Sequence, residues 1–472
     1  MNSIYGVVTR ELVGELEAIV GKANLLTDLE RMENYSHDET SKEEYAHSPE
    51  VVITPTSADQ IAAVMKLATR ERIPVTPRGA GSGLSGGAIP LFGGIVLSVE
   101  KMNKVLEIDE ANLTVTAEAG IVTNELNEQL KSRGLFFAGY PMSLETCFLG
   151  GNIAENAGGG KAVKYGVTGR YILGLEVVTP QGDIVELGGK VTKDVSGYDL
   201  KQLYIGSEGT LGIITKATIK LLGVPKVASN LLVPFATAQQ AIAVVPLIMK
   251  QGIIPTSIEF MDRSSIEMSC SYLNESLPLE GVGAMLLIEI DGTNEQTVER
   301  ELIQVGDLCS GQGAMEVYIA EDATTRERIW SVRRNIAEAI KVYSPVQSLE
   351  DVVVPIASIP LVLPRLQELK EKYQVRIPCY GHAGDGNLHA TIVKDPEMSL
   401  ADWKELEPKL LTELYAFITG ELGGKISGEH GIGLKRKGFL KALIPDAEYQ
   451  LFKALKAAFD PLYIMNPGKI LD

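Results

Sequence analysis

Near the start of the chain, Val8, Leu12, Val13, Leu16, Ile19 and Val20 recur at steps of three and four, which predicts an amphipathic helix packed on the main body. A polar stretch from Glu30 to Glu50 reads as loop, with His37 and His47 as solvated loop histidines. The pattern then shortens. Val51-Val52-Ile53-Thr54 predicts a strand, Ser57-Ala58-Asp59-Gln60 a capping box, Ala58 to about Thr69 a helix, and Ile73-Pro74-Val75-Thr76 a second strand. This βαβ unit delivers the chain into a glycine-rich loop, after which Ile95-Val96-Leu97-Ser98-Val99 reads as another strand. From Val227 to about Tyr380, helices alternate with strand candidates such as Ala284-Met285-Leu286-Leu287-Ile288-Glu289-Ile290.

The loop, Arg78-Gly79-Ala80-Gly81-Ser82-Gly83-Leu84-Ser85-Gly86-Gly87, contains a formal G-x-G-x-x-G at Gly81, Gly83 and Gly86. A Rossmann fingerprint must open a helix, and here the chain runs on to a strand, so that reading is refused. What remains is a run of backbone N–H groups unhindered by side chains, suited to a pyrophosphate, with Arg78 as countercharge. Two further tracts, 149–160 around Gly150-Gly151 and 205–213 around Gly206-Ser207-Glu208-Gly209, complete a set. Close approach of backbone to a flat ring system is the economical reason for three such tracts.

At 472 residues with 45% hydrophobic side chains the chain can bury real cores, and its length allows roughly two to three domains. A net charge of −17 argues against nucleic acid and against an anionic membrane surface. No apolar run approaches the roughly 18 residues of a spanning helix, so no membrane insertion is expected. Met1-Asn2-Ser3-Ile4-Tyr5 lacks the basic start of a leader, and a cytoplasmic location is expected. Cys147, Cys270, Cys309 and Cys379 are scattered without a C-x-x-C, which supports neither an internal Fe–S cluster nor a disulfide framework.

Three of only five histidines, His382, His389 and His430, lie among glycines in Gly381-His382-Ala383-Gly384-Asp385-Gly386-Asn387-Leu388-His389 and Gly428-Glu429-His430-Gly431. His, His and Glu form a borderline N/O ligand set for Zn²⁺, Fe²⁺ or Mn²⁺ that leaves coordination positions open. Either segment alone would be an ordinary tight turn beside a satisfied imidazole; together they suggest a metal site with a base.

On these residues the chain resembles the FAD-linked oxidases of the vanillyl-alcohol oxidase superfamily. The loop from Arg78 to Gly87 is similar to that family's pyrophosphate loop, and Pro141-Met142-Ser143, Gly150 to Asn156 and Gly206 to Gly209 are similar to its later flavin-contacting segments. The two histidine segments resemble the branch that oxidises D-2-hydroxy acids, which includes the glycolate oxidase D subunit and D-lactate and D-2-hydroxyglutarate dehydrogenases. The likeness runs from about Ala46 to Asn466-Pro467-Gly468-Lys469.

The resemblance implies an α+β fold: a two-subdomain FAD-binding domain, a cap domain on an antiparallel sheet, and a C-terminal segment returning to the flavin. The corresponding division is an N-terminal helical segment at 1–45, an FAD-binding domain at 46–226, a cap at 227–425 and a return segment at 426–472. FAD contacts are implied at Arg78, Gly79, Ala80, Gly81, Ser82, Gly83, Leu84, Ser85, Gly86, Gly87, Pro141, Met142, Ser143, Gly150, Gly151, Ile153, Asn156, Gly158, Glu208, Gly209, Ile213 and Asn466. Cys147 falls where relatives hold FAD without a bond, and Ser82 and its neighbours offer no histidine, so non-covalent FAD is expected.

The implied reaction sends the C2 hydrogen of a hydroxy acid to FAD as hydride while the hydroxyl proton leaves. A divalent metal on His382, His389 and Glu429 is expected to chelate the substrate, with His430 as general base. Arg333, in Trp330-Ser331-Val332-Arg333-Arg334-Asn335, is expected to fork onto the carboxylate; on a helix Arg333 and Arg334 point about 100° apart, so only one serves. Hydroxyglutarate enzymes carry a threonine where Ala337 stands, and no lysine for a distal carboxylate is found around Leu349-Glu350-Asp351. A small substrate, D-lactate or glycolate, is therefore favoured. Electrons are expected to leave to a separate protein, an electron-transferring flavoprotein or an Fe–S subunit, the former favoured. Two other readings are an alkyl-dihydroxyacetone-phosphate synthase-like transferase and an inactive flavin-binding subunit; the second leaves the histidines unexplained.

Overall fold

The computed structural model describes residues 4–320 and 322–471; the part of the leader reading that falls on Met1-Asn2-Ser3 lies outside them. The chain forms two compact units. The first is made of Met1–Gly158, Val167–Val224 and Glu429–Asp472, the second of Gly159–Gly166 and Pro225–Gly428. Among the described residues, no helix is long and apolar enough to cross a membrane.

In the first unit, the helix Arg10–Val20 is capped by Thr9 and buries Leu12, Leu16 and Val20, as the apolar spacing predicts. Strands β1 (Leu25–Leu26), β2 (Val51–Ile53), β3 (Val75–Arg78) and β4 (Ile95–Ser98) form one sheet in the order β1-β2-β4-β3. The intervening helix, Ala58–Glu71, is capped by Ser57, whose side chain accepts from the Gln60 N–H. Gln60 Oε1 reaches back to the Thr56 N–H at 2.8 Å, one residue before the cap. The strand expected at Ile73 begins two residues later. Arg72 ends the helix in the left-handed region at φ 55° and the Ile73 N–H still bonds to Ala68 O, so the extended run starts only after Pro74.

A second sheet of the first unit joins β5 (Val105–Asp109), β6 (Thr114–Glu118), β8 (Ile172–Val178), β9 (Ile184–Gly188) and β10 (Ile213–Lys220) in the order β5-β6-β10-β8-β9. Strands β7 (Leu135–Phe136) and β11 (Leu222–Gly223) pair separately. The Glu30 to Glu50 stretch is more ordered than its polarity suggested, with helical turns at Leu29–Met32 and Lys42–Tyr45. His47 is exposed as expected. His37 is instead half-buried, its Nδ1 3.1 Å from Ser36 Oγ.

The second unit is organised on one sheet of seven strands: β12 (Val227–Phe235), β13 (Ser257–Asp262), β14 (Ala284–Gly292), β15 (Tyr318–Ala320), β16 (Gln347–Val353), β17 (Cys379–His382) and β18 (Asn387–Val393). Their order is β15-β12-β14-β13-β17-β18-β16, and every neighbouring pair is antiparallel. Helices Arg263–Leu273, Ala323–Arg334 and Ile336–Tyr343 send Ile266, Ile329, Val332, Ile336 and Ile340 against Met261, Met285 and Leu287 of the sheet. Each fully buried side chain of this size contributes roughly 1.5–3 kcal/mol. This core also includes Tyr380 and Val393 of β17 and β18, the strands that carry the histidines.

Candidate active site

Within the first unit, the three glycine tracts and the C-terminal segment meet. A Cβ on Gly79 would lie 3.5 Å from Gly151 Cα, one on Gly86 3.0 Å from Leu434 Cβ, and one on Gly433 2.2 Å from Ser85 O. At Gly433 the approach is to backbone and too close for any Cβ, so it demands glycine, whereas Gly86 is tight against the Leu434 side chain and Gly79 is in ordinary contact. Ser85 O accepts the N–H groups of Leu434 and Lys435. Gly206 N–H bonds to Ile153 O and Glu208 N–H to Ala154 O, tying the third tract to the second. Asn466 Nδ2 donates to Gly87 O at 2.9 Å and to Glu208 O at 2.8 Å, joining the end of the chain to both.

The side chains of this region take unequal parts. Arg78 donates through Nη1 to His37 O and through Nη2 to Asn34 O, and it wraps over Gly81, where a Cβ would meet Nη2 at 2.0 Å. Its guanidinium thus braces the loop against the preceding segment. Ile213 is buried at the start of β10, and Asn156 sits in the left-handed region at φ 52°, its Oδ1 accepting from Gly169 N–H. Pro141 and Met142 are half-buried and Ser143 is exposed on a turn closed by N–H groups of Thr146 and Cys147 onto Ser143 O. Cys147 is buried against Thr123 and Asn152, whose Nδ2 donates to Sγ at 3.2 Å.

Around the same loop, four sealed side-chain atoms have no hydrogen-bond partner in the protein: Asp38 Oδ2, Ser85 Oγ, Glu155 Oε2 and Asn466 Oδ1. Buried polar atoms of this kind ordinarily have partners. A glycine-lined cradle edged with them fits a hydroxyl-rich and N–H-bearing cofactor such as FAD. Glu208, at φ 51°, spends both carboxylate oxygens on the N–H groups of Ile432 (2.7 Å) and Gly433 (2.6 Å). Burial pushes its carboxyl up to about 6 despite those bonds. Glu155 is pushed well above the ordinary carboxylate range, by burial first and then by the charges of Glu208 and Asp38. In the same segment, Glu429 Oε1 lies 3.8 Å from His430 Nε2, both side chains partly buried. A Cβ on Gly158 would lie 3.3 Å from Glu429 Oε2.

The second unit brings His382 and His389 together on adjacent strands, with ring centroids 5.4 Å apart and planes at 86°. Each faces a buried carboxylate at its cross-strand position. His382 is opposite Glu259, its Nδ1 2.8 Å from Oε1, and His389 is opposite Asp351, its Nδ1 3.6 Å from Oδ1. At His382 the carboxylate on Nδ1 fixes the tautomer and turns the Nε2 lone pair away from it, the usual arrangement of a metal-ligating imidazole; at His389 the carboxylate stands beside Nδ1 without hydrogen-bonding it. Burial pushes the Glu259 carboxyl up, but His382 and Arg333 together outweigh it, and it sits below the ordinary range. Asp351 also accepts from Asn387 Nδ2, Ser427 Oγ and the Gly428 N–H, so it fixes the chain one residue before Glu429.

Arg333 and Arg334 separate as the 100° step requires. Arg333 is buried, its Nε donating to Glu259 Oε2 at 2.7 Å, whereas Arg334 is exposed and paired with Glu327. Nη2 of Arg333 approaches the same Glu259 oxygen without the alignment of a hydrogen bond. The carboxylates behind the histidines escaped the sequence reading. Their signal was present: Glu259 is a lone acid within Ser257-Ile258-Glu259-Phe260-Met261, and Asp351 precedes Val352-Val353-Val354. An acid inside an apolar strand demands a buried partner.

Residues 49–188 match the family described as "FAD binding domain", and residues 224–470 match "FAD linked oxidases, C-terminal domain". The chain is 38% identical to glycolate oxidase subunit GlcD of Bacillus subtilis (strain 168), over 98% of this chain and 97% of that protein. It is 37% identical to D-lactate dehydrogenase of Anaerostipes hadrus, over 99% and 98%. Among solved structures, p-cresol methylhydroxylase matches with a TM-score of 0.79 at 18% identity, covering 98% of this chain and 96% of that one. An alkyldihydroxyacetonephosphate synthase matches at 0.76 and 21%, covering 99% and 86%. These two likenesses speak for the fold, which is the expected vanillyl-alcohol oxidase type.

Proposed function

The chain belongs to the FAD-linked oxidases, and from that premise we propose that it oxidises a small 2-hydroxy acid, D-lactate before glycolate, to the 2-oxo acid. The observation that carries the reading is the pair His382 and His389 on adjacent strands, His382 held through Nδ1 by the buried Glu259 and His389 standing beside the buried Asp351. Its relatives include a protein named glycolate oxidase subunit and one named D-lactate dehydrogenase, which supports that substrate class.

The residues have separate tasks. The loop Arg78 to Gly87, with Gly150, Gly151, Gly209 and Asn466, would hold FAD without a covalent bond, and His382, His389 and Glu429 would hold a divalent cation of the Zn, Fe or Mn type. When bound, FAD supplies an acceptor for the two electrons that leave with the C2 hydrogen, and the cation a Lewis acid for the substrate hydroxyl. Arg333, held by Glu259 through Nε, would orient the carboxylate through its remaining N–H groups. His430 takes the hydroxyl proton, for which an imidazole is matched near neutral pH. Ala337 is packed in the apolar core, and no hydroxyl is offered there to a second carboxylate. Electrons then pass to a separate protein, an electron-transferring flavoprotein before an Fe–S subunit. All four cysteines are buried and free, and their spacing suits no cluster.

Anaerobic mixing of the flavin-loaded protein with D-lactate, glycolate and D-2-hydroxyglutarate tests this. D-lactate should bleach the flavin fastest and hydroxyglutarate slowest. Flavin that stays oxidised with both small acids rules the reading out and leaves a transfer reaction without net oxidation to be tried.

A further inference from the structure

Resting on that reading of the histidines, we propose that Glu259 is a positioning residue for the cation site, one carboxylate that orients His382 and cancels the charge of Arg333 beside it. Glu259 is fully buried in the middle of β13. Oε1 and Oε2 lie 2.8 and 3.0 Å from His382 Nδ1, and Oε2 also receives Arg333 Nε at 2.7 Å. A buried carboxylate of this kind needs partners, and an arginine alone would suffice for an ordinary structural ion pair. Here the same two oxygens also hold an imidazole that, on the proposed reading, would be a ligand through its other nitrogen.

The guanidinium makes the carboxylate necessary. Arg333 carries a permanent charge, and it shares a carboxylate with His382, so a divalent ion on the far side of that ring meets a nearby positive charge. Between groups buried this deeply, repulsion is poorly screened. Glu259 stands between the two and offsets it. Arg333 is also stacked 5.1 Å over the ring of Tyr380, which packs at 5.3 Å on His389. The guanidinium is therefore braced in place, and Glu259 must compensate it where it stands.

Gly160 adds an independent observation. A Cβ there would lie 2.5 Å from Glu259 Oε1 and 3.4 Å from His382 Nδ1. Backbone thus closes over the carboxylate–imidazole pair, with no room for a side chain that could displace it.

The test uses the flavin-loaded full chain, stripped of metal by a chelator and titrated with Mn²⁺ or Zn²⁺ alone against a competing chelator. The variants are Glu259→Gln, Arg333→Met and the pair together. Glu259→Gln should weaken divalent binding by about 10- to 100-fold with FAD content unchanged. The double variant should recover part of that loss, because the uncompensated charge is gone; a carboxylate of merely structural worth would give no such recovery. Binding by Glu259→Gln within about twofold of the parent, or losses that simply add, overturns the role of Glu259 while leaving the metal reading intact. A parent that binds no stoichiometric ion overturns both. Should Glu259→Gln fail to fold, Gly160→Ala serves instead: it keeps every charge but pushes on the carboxylate, and its affinity should fall in the same direction. Unchanged affinity there also overturns the proposal.

Discussion

Asp351 faces His389 across the β16–β18 pair and accepts the backbone N–H of Gly428, one residue before Glu429. One carboxylate thus stands beside an imidazole and fixes the backbone at Gly428, nearly forty positions beyond His389 along the chain. A change at either proposed ligand, His389 or Glu429, should be felt as loss of the cation before loss of fold.

His389→Ala is accordingly expected to strip the divalent ion and abolish turnover while the protein keeps its yellow colour, because the flavin cradle is built from other segments. Elemental analysis of parent and variant, each normalised to flavin, checks this. An active parent without a stoichiometric divalent metal would refute it.

Replacing His430 by Asn keeps polarity and approximate size. As the base, His430 contributes roughly 10²- to 10⁴-fold, so flavin reduction by D-lactate in stopped flow should slow by that factor with little change in substrate affinity. A variant that reduces its flavin at nearly the parental rate assigns the proton to another group.

Acid precipitation should release the flavin into the supernatant, since Cys147 is engaged by Thr123 and Asn152 and no histidine lies in the loop from Arg78 to Gly87. Colour that survives in a washed pellet would mean a covalent bond.

The Glu208 carboxyl stands at about 6, against an ordinary 4.5. Its folded value is the higher one, so the folded protein binds more protons than the unfolded chain between the two. That contribution to stability is fully present below about pH 4.5 and is lost as pH rises through about 6; Glu155 acts in the same sense. Glu208→Gln should therefore flatten the fall in thermal midpoint over this window. Parallel curves for parent and variant would show that Glu208 is ionised at its ordinary value.

Gly431 occupies φ 84°, and a Cβ there would lie 2.2 Å from Glu155 Oε2 and 3.0 Å from Glu208 Oε1. Gly431→Ala should cost on the order of 1–3 kcal/mol in strain, lowering the thermal midpoint by several degrees and weakening FAD retention on gel filtration. A midpoint within a degree of the parent would mean that the two carboxylates yield easily.

The two halves of the site were unequally legible. Glycine tracts at 79–87, 149–160 and 205–213 announce themselves because so many residues without side chains in short runs are visible at once in the sequence. The Arg10–Val20 helix was equally plain, since its face repeats every turn. Glu259 and Asp351 were not, because their meaning depends on strand order: β13 beside β17 and β16 beside β18, pairings more than thirty residues apart that no local pattern encodes. For Arg333 and Arg334, geometry dictated that they diverge, but only the sheet beneath decided which one turned inward.

The stretch Gly159–Gly166 groups with the second unit although its neighbours on both sides group with the first. Lys161 there pairs with Glu289 at 3.1 Å, and Lys164 and Tyr165 both bind Asp291. A gene fragment cut at 225–428 would therefore leave two nearly buried acids on β14 stripped of their counterions. Modular excision or transplantation of this unit has to carry those eight residues along, by circular permutation or an added linker, because its boundaries in space are not boundaries along the chain.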